Sequence, residues 1–346
     1  MTFTAPTGSR RRAALTAGVI GAALALAGCA GSTPAANDTA AAGDGTFPVS
    51  IDTAYGEVTV DKKPERIVVL TSTYLELLPY IDEKPIASSE DDASIRDYSP
   101  WLSDVDRGEV TPDLVDADYA PSPEAIAALA PDLILTDIWN TDEALYEQLS
   151  EIAPTYVGVE TDTQTSWQDH LASIAELTGH DPAVVDDVEA DLAADFATAA
   201  AKLPGLQGKS YIVPVYFTDN QFWPTEYGND PLMAIGLVPS DQQPHGDVTS
   251  DEVGTISQEN IDKLTEDVVF VAASGAVSEE VIDQTFAALE ADPRVAELPA
   301  AKNGTWLYLT GPQWTAINGG TPLSYRWWLD QVMPELEASA LNQSAQ

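Results

Sequence analysis

From Phe47 onward, short apolar runs alternate with amphipathic stretches, and this alternation predicts the elements of the chain. Val49-Ser50-Ile51 and Val58-Thr59-Val60 read as two short strands around Tyr55-Gly56. Ile67-Val68-Val69-Leu70 is a continuous, largely β-branched run, which predicts a strand buried on both faces, as in a parallel sheet. A helix over 73–78 and a short strand at Ile86-Ala87 follow. Ser122 is placed as an N-cap with Pro123 at the first helical position, so 123–130 reads as a helix that Pro131-Asp132 ends. Leu133-Ile134-Leu135-Thr136 is a second buried strand, 142–152 a helix, and Tyr156-Val157-Gly158-Val159 a further strand. Strands alternating with helices make an α/β lobe.

Two helices come next, over 166–177 and 182–203. The second carries Val185, Val188, Leu192 and Phe196 at helical spacing, and Pro204-Gly205 stops it. The alternation then restarts, with strands over 210–217, 268–272 and 306–309. Helices are predicted over 230–235, 258–264 (capped by Ser257), 278–289 and 321–336. The pattern therefore predicts an α/β lobe over 47–181, a single connecting helix over 182–203 and a second α/β lobe over 204–346.

The first residues have a different character. Arg10-Arg11-Arg12 precedes Ala13 to Ala27, which is apolar or small throughout except for Thr16. A basic start, an apolar stretch of about fifteen residues and a small-residue end fit a signal peptide over 1–28 better than a membrane span. Leu26-Ala27-Gly28-Cys29 resembles the bacterial lipobox, which implies cleavage before Cys29 and lipidation of that cysteine. Ser9-Arg10-Arg11 is also compatible with a twin-arginine signal. The Ala-, Gly-, Ser- and Thr-rich stretch that follows, to residue 46, cannot bury a core and reads as a flexible tether. The expectation is an exported protein held on the outer face of the membrane by its lipid.

Composition narrows the function. The 346 residues carry a formal charge of −41, with 56 acids against 15 Lys and Arg. Such a surface repels phosphate backbones and argues against a nucleic-acid partner. Cys29 is the one cysteine, so no intrachain disulfide and no cysteine-based metal cluster can form. His170, His180 and His245 are far apart and read as surface or helix-end residues.

Several segments, in order, resemble the periplasmic-binding-protein family that serves ferric siderophore, haem and cobalamin importers. They are Lys63-Pro64-Glu65-Arg66-Ile67-Val68-Val69-Leu70, the run from Ser122-Pro123-Glu124 through Pro131-Asp132 to Leu135, Ile152-Ala153-Pro154-Thr155, Ile256-Ser257-Gln258-Glu259, and Asp267-Val268-Val269-Phe270-Val271. The resemblance spans roughly residues 51–333. It implies two Rossmann-like lobes with a ligand cleft between them, and an ABC permease with its ATPase as partners. It also implies that Glu124 and Glu259, one per lobe, dock onto permease arginines, where carboxylates form charge-assisted pairs. Both acids also stand at predicted helix starts, where the dipole favours them.

Ligands of open α/β sheets sit at the carboxyl ends of the strands. Those ends place Tyr74, Arg96, Tyr98, Trp101, Asp118 and Trp139 from the first lobe, and Tyr216, Trp223 and Trp314 from the second, as candidate ligand contacts. Aromatic rings give rigid contact area suited to a bulky chelate; Trp327 and Trp328 read as core. Hydroxamate-binding members of the family can carry an Arg just before the docking acid, where this chain has Asp118. A triply anionic catecholate complex would want several Arg or Lys. The reading is therefore a lipid-anchored, monomeric receptor for a ferric siderophore, of neutral or cationic hydroxamate type, with haem or cobalamin as the alternative. The chelate holds the iron, so no cofactor and no direct metal ligand is expected. An exported hydrolase or an adhesion lipoprotein are the competing classes; the chain has no Gly-x-Ser-x-Gly elbow, His-Glu-x-x-His motif or phosphate loop.

Overall fold

The computed structural model describes residues 47–160, 165–217, 219–273 and 279–345. The signal segment, Cys29, the tether and the Ser274-Gly275 corner of the second lobe lie outside the described residues.

β1 (Val49–Thr53) and β2 (Gly56–Val60) pair as the expected antiparallel hairpin. Its turn needs glycine: Gly56 has φ +135°, which side chains rarely adopt, and the Thr53 hydroxyl donates to its carbonyl at 2.7 Å. Five strands then build an all-parallel sheet: β3 (Ile67–Val69), β4 (Ala87–Ser88), β5 (Glu109–Val110), β6 (Leu133–Leu135) and β7 (Thr155–Tyr156), ordered β5-β4-β3-β6-β7. The helices α1 (Ser72–Leu77), α2 (Asp92–Tyr98), α3 (Pro123–Ala128) and α4 (Glu143–Ser150) lie in the crossovers.

Successive side chains of β3 and β6 enter different cores, the period of two that a strand imposes. Ile67, Val69, Leu133 and Leu135 pack with Leu75, Leu171 and Ile174, while Val68 and Ile134 pack with Leu114, Ile126 and Leu149. Covering both faces explains the uninterrupted apolar run of each strand. The Asp132 carboxylate caps the entry to this pair, accepting from Glu65 N at 3.0 Å and Arg66 N at 2.7 Å. Arg66 in turn donates to the carbonyls of Leu129 and Ala130, just past α3. Ser122 stands at the N-cap of α3 as expected, but its side chain makes no capping hydrogen bond.

α5 (Trp167–Leu177) leads to α6 (Val184–Ala201), whose 18 residues span about 27 Å. Beyond it come β8 (Ser210–Ile212), β9 (Pro214–Tyr216), β10 (Gln221–Pro224), α7 (Asn229–Ala234), β11 (Val238–Pro239), α8 (Ser250–Val253) and β12 (Ile256–Ser257). The chain closes with β13 (Val268–Ala273), α9 (Glu279–Glu290), α10 (Pro299–Asn303), β14 (Trp306–Tyr308), α11 (Gly311–Asn318), α12 (Pro322–Ala338) and α13 (Ala340–Gln343). The seven strands form one mixed sheet, ordered β11-β8-β13-β9-β10-β12 with β14 beside β13. β10 runs antiparallel to both its neighbours.

The strand expected over 210–217 is two. At the break, Val213 N donates to the buried Gln243 Oε1 at 2.7 Å, and Thr225 donates to the Val213 carbonyl; Pro214 has no N–H to continue the ladder. The helix expected over 258–264 is a 3₁₀ turn, Gln258–Lys263, kinked at Asn260. The segment after β4 contains α2, which Asp91 caps by accepting from Ala93 N and Ser94 N. A helix also follows β14: Thr310 and Gln313 form a reciprocal capping box at the start of α11.

The lobes share more than α6. At the N-terminus of α12, the Thr321 hydroxyl donates to the buried carboxylate of Glu76 on α1. Arg326 donates to Asp195 of α6 at 2.6 Å and to the Tyr80 hydroxyl at 2.8 Å. Trp327 meets Trp101 with ring centroids 5.2 Å apart, and Trp328 is fully buried. One apolar core runs through both lobes, from Leu135 and Leu171 through Phe196 to Phe270 and Trp328.

Candidate functional site

A cavity of about 210 Å³ lies between the lobes. The first lobe supplies Thr73 from α1, Asp137 and Trp139 from beyond β6, and the stretch from Thr165 to Gln168 with His170 at the start of α5. The second supplies Asp230 from α7, the Asn318-Gly319-Gly320 turn between α11 and α12, and Tyr325. Thr73, Asp137 and Trp139 thus follow the carboxyl ends of β3 and β6, where crossovers diverge and leave a crevice. A wider chamber of about 530 Å³ shares Asp230, Asn318 and Tyr325, and adds Glu226, Tyr227, Met233, His245 and Ile317. Among the described residues, no Lys or Arg lines either space.

The first-lobe floor is built around a histidine. His170 is buried, not a surface residue, because Trp167, His170, Leu171 and Ile174 share the inward face of α5. Its ring meets Tyr74 and Tyr156 edge-on, at centroid distances of 5.2 and 5.8 Å. Its Nε2 lies 3.5 Å from Asp137 Oδ2, and its Nδ1 lies 3.3 Å from the Tyr74 hydroxyl. That hydroxyl donates to the Thr136 carbonyl at 2.7 Å. Burial, then Tyr156 and the Asp137 carboxylate, push the Tyr74 phenol well above its ordinary range, so it stays protonated. Gly158 is required here: it has φ +93°, and a Cβ would meet the Thr165 hydroxyl at 2.6 Å.

On the opposite wall, Gly320 plays the matching part. A Cβ at Gly320 would run into the Tyr325 hydroxyl, so the missing side chain lets that group reach the cavity. Burial and Asp230 raise the Tyr325 phenol as well. Beside it, Asn318 Oδ1 is buried with no hydrogen-bond donor among the described residues.

Of the nine expected ligand contacts, the structure brings Trp139 to the cavity. It is 57% exposed and lies 6.3 Å, centroid to centroid, from the equally exposed Tyr119. Tyr119 has φ +64°, held in a tight loop in which Asp116 Oδ1 accepts from Asp118 N and Ala120 N. Asp118 itself is exposed on that loop, away from the cavity lining. Tyr74 and Tyr216 are corrected to core positions: both are fully buried, the first against His170 and the second against Phe222. Arg96 points to solvent and pairs with its neighbour Asp97 at 2.7 Å. Tyr98 is half-buried at the end of α2, and Trp101 belongs to the junction with Trp327. Trp223 is an exposed residue of β10 stacked near Phe217. Trp314 packs edge-on against Tyr227, which lines the wider chamber. Glu124 and Glu259 are both exposed, one in the first turn of α3 and one in the 3₁₀ turn. Arg294 secures that turn by donating to the Gln258 and Glu259 carbonyls at 3.0 Å.

His170, Asp230, Asn318 and Tyr325 were absent from the candidate contacts. The helical period from Trp167 to Ile174 carries the signal for His170. Nothing local marks Asp230 or Asn318, which meet the first lobe only in the folded chain.

Comparison with known proteins agrees with this architecture. The chain is 34% identical over 151 residues to the ferric enterobactin-binding periplasmic protein FepB of Escherichia coli, covering 39% of this chain and 43% of that protein. It is 33% identical over 115 residues to the Fe(3+) dicitrate-binding periplasmic protein FecB of the same species, covering 31% and 34%. The chain thus spans less than half the length of either relative. A solved periplasmic solute binding protein from Mycobacterium smegmatis superposes with a TM-score of 0.64 at 26% identity, over 84% of this chain and 97% of that one. The periplasmic binding protein family matches residues 67–312, and with two α/β lobes around one cavity the chain belongs to that family.

Proposed function

We propose that this chain is the substrate-binding component of an ABC importer that captures a ferric siderophore between its lobes and delivers it to the permease. The observation that carries this reading is the cavity at the carboxyl ends of β3 and β6, closed by the Asn318-Gly320 turn of the other lobe and rimmed by Trp139. The names of the relatives, which bind ferric enterobactin and ferric dicitrate, support iron chelates as the ligand class. The lining has carboxylates and no described Lys or Arg. An anionic catecholate or citrate complex would meet repulsion there, so a neutral or cationic hydroxamate complex fits better. The protein acts by binding, without turnover or a resident cofactor. Cys29 anchors it by lipid to the outer face of the membrane as a monomer, and Glu124 and Glu259 register its lobes on the permease.

Tryptophan fluorescence tests this on a form starting after Cys29, titrated with ferric hydroxamates, ferric catecholates, ferric citrate, haem and cobalamin. Trp139 on the cavity rim is the expected reporter. Saturable quenching at sub-micromolar ferric hydroxamate is the expected result. Saturation by haem or cobalamin alone would move the assignment to that cargo, and silence with every ligand would remove the receptor reading.

A further inference from the structure

Resting on the receptor reading, we propose that Glu76 is a positioning residue for the ligand: from inside the first lobe it fixes the Asn318-Gly319-Gly320 turn that walls the cavity from the second. Glu76 lines neither space and so touches no ligand held there. It is a carboxyl on α1 with 4% exposure, and its partner is not a cation but the Thr321 hydroxyl, which donates to it across the lobe junction. An apolar side chain of similar volume would fill the same place without taking an ionisable group out of water. What the acid adds is direction, because a hydrogen bond holds one register of α1 against α12 where apolar packing tolerates several.

Thr321 is where that register reaches the cavity. It is the N-cap of α12 and directly follows Gly320. Ser324 N donates to the Thr321 hydroxyl oxygen at 3.2 Å, and Thr321 N donates to Ser324 Oγ at 2.9 Å. Ser324 Oγ donates in turn to the Ala316 carbonyl at 3.0 Å, so the end of α11 and the start of α12 are tied across the turn. Tyr325 N donates to the Thr321 carbonyl at 2.9 Å, which sets the residue whose hydroxyl lies against Gly320 in the cavity wall. The turn needs such an anchor, because two successive glycines leave its backbone free and Gly320 takes φ +31°. On the other side, α1 carries both Glu76 and Thr73, which lines the first-lobe wall. One buried hydrogen bond therefore sets the two walls relative to each other. Arg326 joins α12 to Asp195 and Tyr80 further along the helix, from a partly exposed position, and leaves the helix start to Glu76.

The test is calorimetry with a ferric trihydroxamate, ferric citrate and haem as probes, together with amide hydrogen exchange over 318–325 in the absence of any probe. Glu76→Leu removes the acceptor while filling its space. It is expected to weaken the probe that binds by about tenfold, the size of one lost hydrogen bond to a buried acid, and to speed exchange in the turn. Glu76→Gln, which keeps an acceptor for Thr321, is expected to restore most of the affinity and the slow exchange. Thr321→Val is expected to match Glu76→Leu, and the double variant to lose no more than Thr321→Val alone, because the two residues act through one bond. Asp132→Ala, which frees the Glu65 and Arg66 N–H groups away from the cavity, is the control for lost stability. Original affinity in Glu76→Leu or Thr321→Val, or an equal loss in Asp132→Ala, overturns the positioning role and leaves the receptor reading standing. Thr321→Val keeps the test decisive if Glu76→Leu does not fold. Failure of every probe to bind the unaltered protein overturns both.

Discussion

Glu76 is a buried carboxyl whose chemistry departs from its type. It is buried where α1 meets the N-terminus of α12, and desolvation raises its carboxyl from 4.5 to about 7 even though the Thr321 hydroxyl donates to it. The folded value lies above the unfolded one. Its contribution is therefore present in full below about pH 4.5 and is lost as pH rises through about 7. The gap corresponds to about 3 kcal/mol between these limits. Glu76→Gln removes the ionisation while keeping an acceptor for Thr321. It should raise Tm by about 5 °C at pH 8 and change it little at pH 5. Thermal melts at the two pH values decide this, and an equal gap at both would contradict it. The charge pattern could place neither Glu76 nor His170. Glu76 sits in a helical segment with no nearby sign of its partner Thr321, 245 residues away.

Among elements, the clearest sequence signals proved to be hydrogen-bonded joints. Pro64-Glu65-Arg66 and Pro131-Asp132 read as motif fragments; in the fold they clasp each other, aligning β3 with β6 at the start of the sheet. Asp132→Ala frees the N–H groups of Glu65 and Arg66 at an exposed position, where water replaces the carboxylate. The expected loss is about 1 to 2 kcal/mol in denaturant unfolding, with ligand affinity unchanged because the joint lies at the strand end remote from the cavity. A loss of affinity at unchanged stability would reject that division. Elements were misread where side chains override local pattern. Gln243 takes the N–H of Val213 and splits an apparent strand, and the Thr310–Gln313 capping box starts a helix that the pattern reading leaves out between 309 and 321. The second of these was legible as a Thr-x-x-Gln signature; the first was not, since Gln243 is 30 residues from its partner.

At the scale of the whole molecule, the two lobes are tied by α12 as well as by α6, through Glu76–Thr321 and the Arg326 contacts to Asp195 and Tyr80. This arrangement favours small adjustments between lobes over wide opening. The proposed docking acids lie outside these contacts and outside both cavities. Charge reversal at both sites, Glu124→Arg with Glu259→Arg, should abolish ligand uptake in cells or vesicles holding the permease while leaving solution affinity unchanged. Uptake at the original rate would refute the docking role.

The sequence by itself determined the α/β alternation, the long connecting helix, the buried character of β3, β6 and β13, and the family, because each rests on periodicity or on neighbouring residues. It also carried the acidic, cation-poor surface that bears on ligand charge. Which side chains meet in the cavity was decided by tertiary structure alone. Asp137 comes from the β6–β7 crossover and His170 from α5 beyond the sheet, and Asp230, Asn318 and Tyr325 join them only when the second lobe packs against the first. Aromatic residues at strand ends were poor guides to that meeting, because an aromatic ring lowers free energy by burial whether or not a ligand is beside it, as Tyr74 and Tyr216 do.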